Sequence, residues 1–94
     1  SDKYMDYSKE VLNSLKISDI RAEIDDRSEK TGRKIRDAEV RKIPFMLIVG
    51  EREAAEGKVS VRRHGGEDLG SMSLEDFKTL THKEITENID EFVV

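Results

Sequence analysis

The chain has 94 residues, 40% of them charged and 35% hydrophobic, with a formal net charge of -4. That length makes one domain, which buries only somewhat more than about 60% of the surface its unfolded form exposes. Without cysteine there is neither a disulfide framework nor a thiolate nucleophile, and His64 and His82 lack the companions a zinc site needs. The longest apolar run, Phe45 to Val49, falls far short of the roughly 20 residues that span a bilayer, so no membrane contact and a cytoplasmic location are expected. The charge is unevenly spread. From Arg27 to His64 eleven Lys and Arg face six Asp and Glu, a balance of +5, and the remainder of the chain carries -9. A phosphate backbone would be drawn to the middle and repelled by both ends, which orients a partner as well as holding it. A set of plainly solvated charged faces is the bland alternative.

In chain order, Tyr4, Tyr7, Val11, Leu12 and Leu15 recur at spacings of three and four, predicting an amphipathic helix within Ser1 to Lys16. Ile20, Ala22 and Ile24 alternate with Arg21 and Glu23, predicting a strand within Ile17 to Ile24 that Asp25 and Asp26 end. A second helix is expected over Thr31 to Lys42, burying Ile35, Ala38 and Val40, and Pro44 stops it because the residue before a proline disfavours the helical region. Phe45 to Val49 is apolar without alternation, as in a strand covered on both faces. Glu51 to Gly57 is a polar connection with about one helical turn. Lys58 to Arg63 alternates Val59 and Val61 against polar residues, His64-Gly65-Gly66 is a turn, and Leu69 to Met72 is a short strand. Ser73 is placed to cap a helix carrying Leu74, Phe77, Leu80 and Ile85. The outcome is one α/β domain with a mixed sheet, the strands from Lys58 and Leu69 forming an antiparallel hairpin.

No catalytic centre is legible. Asp25 and Asp26 are neighbours on extended backbone and point opposite ways, His64 has no serine or cysteine partner, and Gly65-Gly66 lacks the spacing of a phosphate loop. Basic density around the second helix is the stronger signal. Arg27, Lys30, Arg33, Lys34, Arg36, Arg41 and Lys42 outnumber Glu29, Asp37 and Glu39 by four, as in an RNA-backbone footprint. Arg62 offers a fork of donors to a base edge, and Glu53 can accept the imino and amino protons of a guanine. Single-stranded base reading needs groups of these kinds.

The run Asp25-Asp26-Arg27-Ser28-Glu29-Lys30, with Gly32, Lys34-Ile35-Arg36, Ile43-Pro44 and Val49-Gly50, resembles the anticodon-binding domain of class II aminoacyl-tRNA synthetases. Lys42 to Gly50, Gly57 to Arg62 and Asp68 to Leu74 are similar to the threonyl members of that family in particular. The resemblance implies a mixed five-stranded sheet with flanking helices, and recognition of the G and U that end a threonine anticodon through Ser28, Glu53 and Arg62. Ser28 stands where some members carry asparagine, so a hydroxyl replaces a paired amide edge. Charge and placement, rather than the family, suggest Arg27, Lys34 and Arg63 as RNA-backbone contacts. The whole enzyme implied is an ATP-dependent, homodimeric ligase using magnesium and zinc, with no cofactor in this part. A synthetase-like domain reused as a protein-interaction or regulatory module is the alternative. The resemblance also implies an apolar central strand ahead of Ser1, absent here, so the expectation is an N-terminally truncated domain over residues 1–94. Its sheet gap would be closed by strand rearrangement or a dimer, and residues 88–94 form an unassigned tail.

Overall fold

A computed structural model describes residues 4–84 and 92–93. The first helix, α1 (Met5–Ile17), buries Ser8, Val11 and Leu15 along one stripe. Ile17, expected in a strand, is the helix's last residue and is 77% exposed. Backbone carbonyls of the last turn accept the Ser18 N–H, and Asp19 then adopts a positive φ of 61°. The turn made there leaves only Ala22–Glu23 as strand β1.

Helix α2 (Thr31–Val40) buries Ala38 and half-buries Ile35. Val40, expected inside, is 75% exposed, because it falls off the Ile35–Ala38 stripe onto the solvent side. The helix closes through Arg41 and Lys42, the latter at φ 60°, two residues ahead of Pro44. Strand β2 (Phe45–Ile48) is covered on both faces, as its unbroken apolar run predicts. Phe45 and Leu47 enter the main core with Val11, Leu15 and Phe77, while Met46 joins Ala38 and Ile43 in a second cluster that Ile35 and Ile48 pack against.

Helix α3 (Glu51–Glu56) ends on Gly57, whose φ of 67° needs a residue without a Cβ. Strand β3 (Lys58–Arg63) turns at His64-Gly65-Gly66 into β4 (Glu67–Ser73), which is longer than the predicted Leu69 to Met72. The hairpin register slips between Val61 and Arg62, where Gly70 opposes Val61 but Asp68 opposes Arg62. Leu69 is thus the extra residue of a bulge, and Gly70 supplies the positive φ of 84° beside it. Ser73 Oγ accepts the Asp76 N–H at 3.0 Å, capping α4 (Leu74–Glu84) as predicted. Ile85, assigned to this helix from the sequence, lies outside the described residues.

The sheet is five-stranded and mixed, in the order β1-β5-β2-β3-β4. Its second member, β5 (Phe92–Val93), comes from the segment left as a tail in the sequence. It pairs in parallel with Ala22–Glu23 on one side and with Phe45–Met46 on the other. β1 and β2 are therefore joined into one sheet through Phe92–Val93.

Candidate nucleic-acid interface

Alternation along β3 sorts its side chains onto two faces. Val59 and Val61 are fully buried toward α1 and α4, so Ser60 and Arg62 stand on the opposite face, paired across β2 with Ile48 and Met46. Glu53 belongs to α3, three residues after Gly50, and its carboxylate is held at both oxygens. Oε1 accepts the Gly50 N–H at 2.8 Å and Oε2 accepts the Ser60 hydroxyl at 2.9 Å. Burial alone would push this carboxyl upward, but the hydrogen bonds from Gly50 and Ser60, with Arg52 nearby, outweigh it and hold the group below the usual glutamate range. Glu53 is accordingly an anion at neutral pH with one further lone pair on each oxygen. Ser60 was not singled out from the sequence; its place two residues before Arg62 on an alternating strand is the signal that could have found it.

Arg62 sits loosely by comparison. Its Nη1 lies 3.7 Å from Asp68 Oδ2 and its Nη2 reaches the Gly66 carbonyl only at 3.5 Å. Its Nε is buried and has no hydrogen-bond partner, a donor whose lack of an acceptor costs on the order of 1 to 3 kcal/mol. Arg63 points the other way. It is paired with Phe45, its guanidinium lies 5.7 Å from the centroid of that ring, and Nη1 is 3.3 Å from Glu67. The two adjacent arginines thus serve opposite faces of the sheet.

Ser28 is exposed in the loop between β1 and α2, on the rim of a cleft of about 520 Å³ that runs between that loop and Met46 to Val49. Val49, which lines the cleft, precedes Gly50, whose amide holds Glu53. Arg27 and Lys34 are engaged within this loop. Arg27 donates to both oxygens of Asp25, from Nε at 2.8 Å and Nη2 at 2.7 Å, and to Asp37 from Nη1 at 2.8 Å. Lys34 Nζ donates to the Asp25 carbonyl at 2.9 Å. Arg27's hydrogen bonds hold the Asp25 carboxyl below the usual aspartate range against the opposing effect of burial. At the far end of α2, Glu39 accepts the Gly65 N–H at 3.0 and 3.2 Å, fastening the helix to the β3–β4 turn.

A basic helix and its entry loop thus stand beside a sheet face that carries the fixed Glu53 carboxylate and Arg62, within one α/β domain. A family model described as anticodon binding domain matches residues 1–84, and the chain belongs to that family. It is similar to the threonine-tRNA ligase of Cytophaga hutchinsonii, with 53% identity over 95% of this chain and 14% of that protein. With the threonine-tRNA ligase of Flavobacterium johnsoniae the identity is 50% over 100% of this chain and 15% of that protein, and with that of Bacteroides fragilis 49% over 98% and 14%. The chain therefore spans about one seventh of the length of the relatives it matches. Among the described residues no helix is long and apolar enough to cross a membrane.

Proposed function

We propose that this chain reads the threonine anticodon for an ATP-dependent threonine-tRNA ligase of the cytoplasm, with Glu53 and Arg62 meeting the bases on one face of β3 and Ser28 on the neighbouring loop. The observation that supports this best is the Glu53 carboxylate, pinned at both oxygens on the same face as Arg62. A carboxylate fixed in plane meets the N1–H and N2–H of guanine side by side, and a wrong base leaves a donor or acceptor unpaired, which is where specificity arises. Arg62 Nη1 and Nη2, held only at 3.7 and 3.5 Å, are the donors that turn to a base edge. Lys34 and the exposed basic side chains of α2 add backbone attraction that carries no sequence information, whereas Arg63, on the other face of the sheet, does not join them.

Adenylation and transfer of threonine, the homodimer, and the ATP, magnesium and zinc of the whole enzyme are proposed for the remainder of a longer protein. The proposal extends to an apolar strand ahead of Ser1 competing with β5 for its place. Sedimentation and hydrogen exchange on a version longer by about a dozen residues test it, a strand being about 5 to 6 residues plus its connection; unchanged mass and protection would remove that extension. For the central proposal, Arg62→Ala is expected to cost on the order of 1 to 3 kcal/mol on a cognate anticodon stem-loop and to relax discrimination against a single-base variant. Uniform weakening across both RNAs would make Arg62 a phosphate contact. No base preference in the unaltered chain would favour a protein-interaction role.

A further inference from the structure

Arg27 carries the charge and the placement of a phosphate contact, yet its surroundings give it a different task. Three of its N–H donors are taken by Asp25 and Asp37 at 2.7 to 2.8 Å, and Arg33 stands 3.9 Å from the same Asp37 oxygen. An approaching phosphate would have to displace two hydrogen-bonded carboxylates to reach those donors. The same geometry makes a fastening. Asp25 lies at the start of the loop and Asp37 in the middle of α2, so the guanidinium spans loop and helix, and Lys34 reaches back from α2 to the Asp25 carbonyl. The forked, two-carboxylate arrangement distinguishes this contact from ordinary surface ion pairs, which are worth little.

We infer that Arg27 is a positioning residue, whose guanidinium pins the Asp25–Lys30 loop to α2 and thereby sets where Ser28 meets the anticodon. This rests on the anticodon reading proposed above. Arg27 itself touches no nucleotide, and Asp25 and Asp37 are as necessary as the arginine, because they supply the other half of the fastening.

The two roles predict opposite outcomes for the same variants. Arg27→Lys keeps the positive charge but loses the fork. Asp37→Asn keeps the shape but removes the charge that holds Nη1, leaving Asp25 on the other two nitrogens. Each variant, in the whole chain, is examined without RNA by amide hydrogen exchange of residues 26–30. Each is then titrated with a synthetic stem-loop whose anticodon ends in guanosine and uridine, and with a version changed at one base, over a range of salt. Positioning predicts that both variants raise exchange in the loop at least about fivefold, as expected for loss of a charge-assisted hydrogen bond. It also predicts that both narrow the preference for the cognate loop while leaving the salt slope as it is. The inference is overturned if Arg27→Lys binds as the unaltered chain does, or if Asp37→Asn binds more tightly with a slope steeper by about 0.7, the increment of one phosphate on a single strand. An unaltered chain that prefers neither stem-loop brings down the anticodon proposal instead, and loop exchange unmoved in Arg27→Lys brings down the fastening separately.

Discussion

Replacing Ser60 with alanine removes one hydroxyl from the face of β3 and little else, which isolates what that hydroxyl does for Glu53. The hydrogen bond at 2.9 Å is to a charged acceptor in a half-buried setting. Such bonds contribute about 1.5 to 3 kcal/mol, and partial exposure puts the expected loss of stability below that range, at about 1 kcal/mol. The Gly50 bond remains, but a carboxylate held at one oxygen can turn about it. A good bidentate pair discriminates by about 1 to 3 kcal/mol, and losing the fixed plane should remove about 1 kcal/mol of it, close to a fivefold drop in preference for guanine over adenine. The assay pairs stem-loop titrations with an NMR titration of Glu53, whose carboxyl should rise once one of the bonds that lower it is gone. Ser60→Thr keeps a hydroxyl and should restore both. Equal weakening toward guanine and adenine, or a Glu53 titration that does not move, would refute the reasoning.

Phe77 is fully buried and meets Phe45 edge-on at 5.6 Å, so Phe77→Ala should cost about 3 to 5 kcal/mol and displace the urea midpoint sharply; a shift of under about 1 kcal/mol would contradict its place at the centre of the core. Asp25 and Glu53 both have lowered folded-state values, so each contributes stability that is complete above its unfolded value, near 4 for both types, and is lost as pH falls through the lower folded one. Guanine preference should accordingly persist through mildly acidic buffer and fail only below pH of about 4, while loss nearer pH 6 would point to another group. Deleting residues 91–94 should raise amide exchange along the facing edges of β1 and β2, at Ala22–Glu23 and Phe45–Met46, with the β3–β4 hairpin unaffected. Equal exchange in both would remove β5 from the sheet.

Much of this architecture was legible locally. Phe45 to Val49 announced a doubly covered strand, Lys58 to Arg63 an alternating one, and Ser73 a helix cap, because each signal is written within a few residues. The alternation that set Asp25 and Asp26 apart also places Arg62 and Arg63 on opposite faces, a consequence available from the sequence but not drawn there. Elements held by distant partners were not legible. Two residues at Phe92–Val93 carry no periodicity, and their strand exists only because β1 and β2 flank it. Val40, two residues after Ala38, lies off the stripe that a spacing of three or four defines, and it faces solvent. The basic count around α2 registered charge without pairing, so Arg27 looked available to phosphate when Asp25 and Asp37 already held it. Glu53 and Arg62 were chosen by donor and acceptor chemistry, whereas the hydroxyl that orients Glu53 required the register of α3 against β3.

Helix α2 is fastened at both ends, to the Asp25–Lys30 loop through Arg27 and Lys34 and to the β3–β4 turn through Glu39. It thus behaves as a crossbar between the segment that carries Ser28 and the hairpin that carries Arg62. Substitutions on its exposed side can alter charge freely, but any that tilt the bar move both positions together. Errors at the two bases should then rise in concert, so that a double-mutant cycle between Ser28 and Arg62 gives a coupling energy even though neither residue touches the other. Two letters of one anticodon would be read by a single mechanical unit.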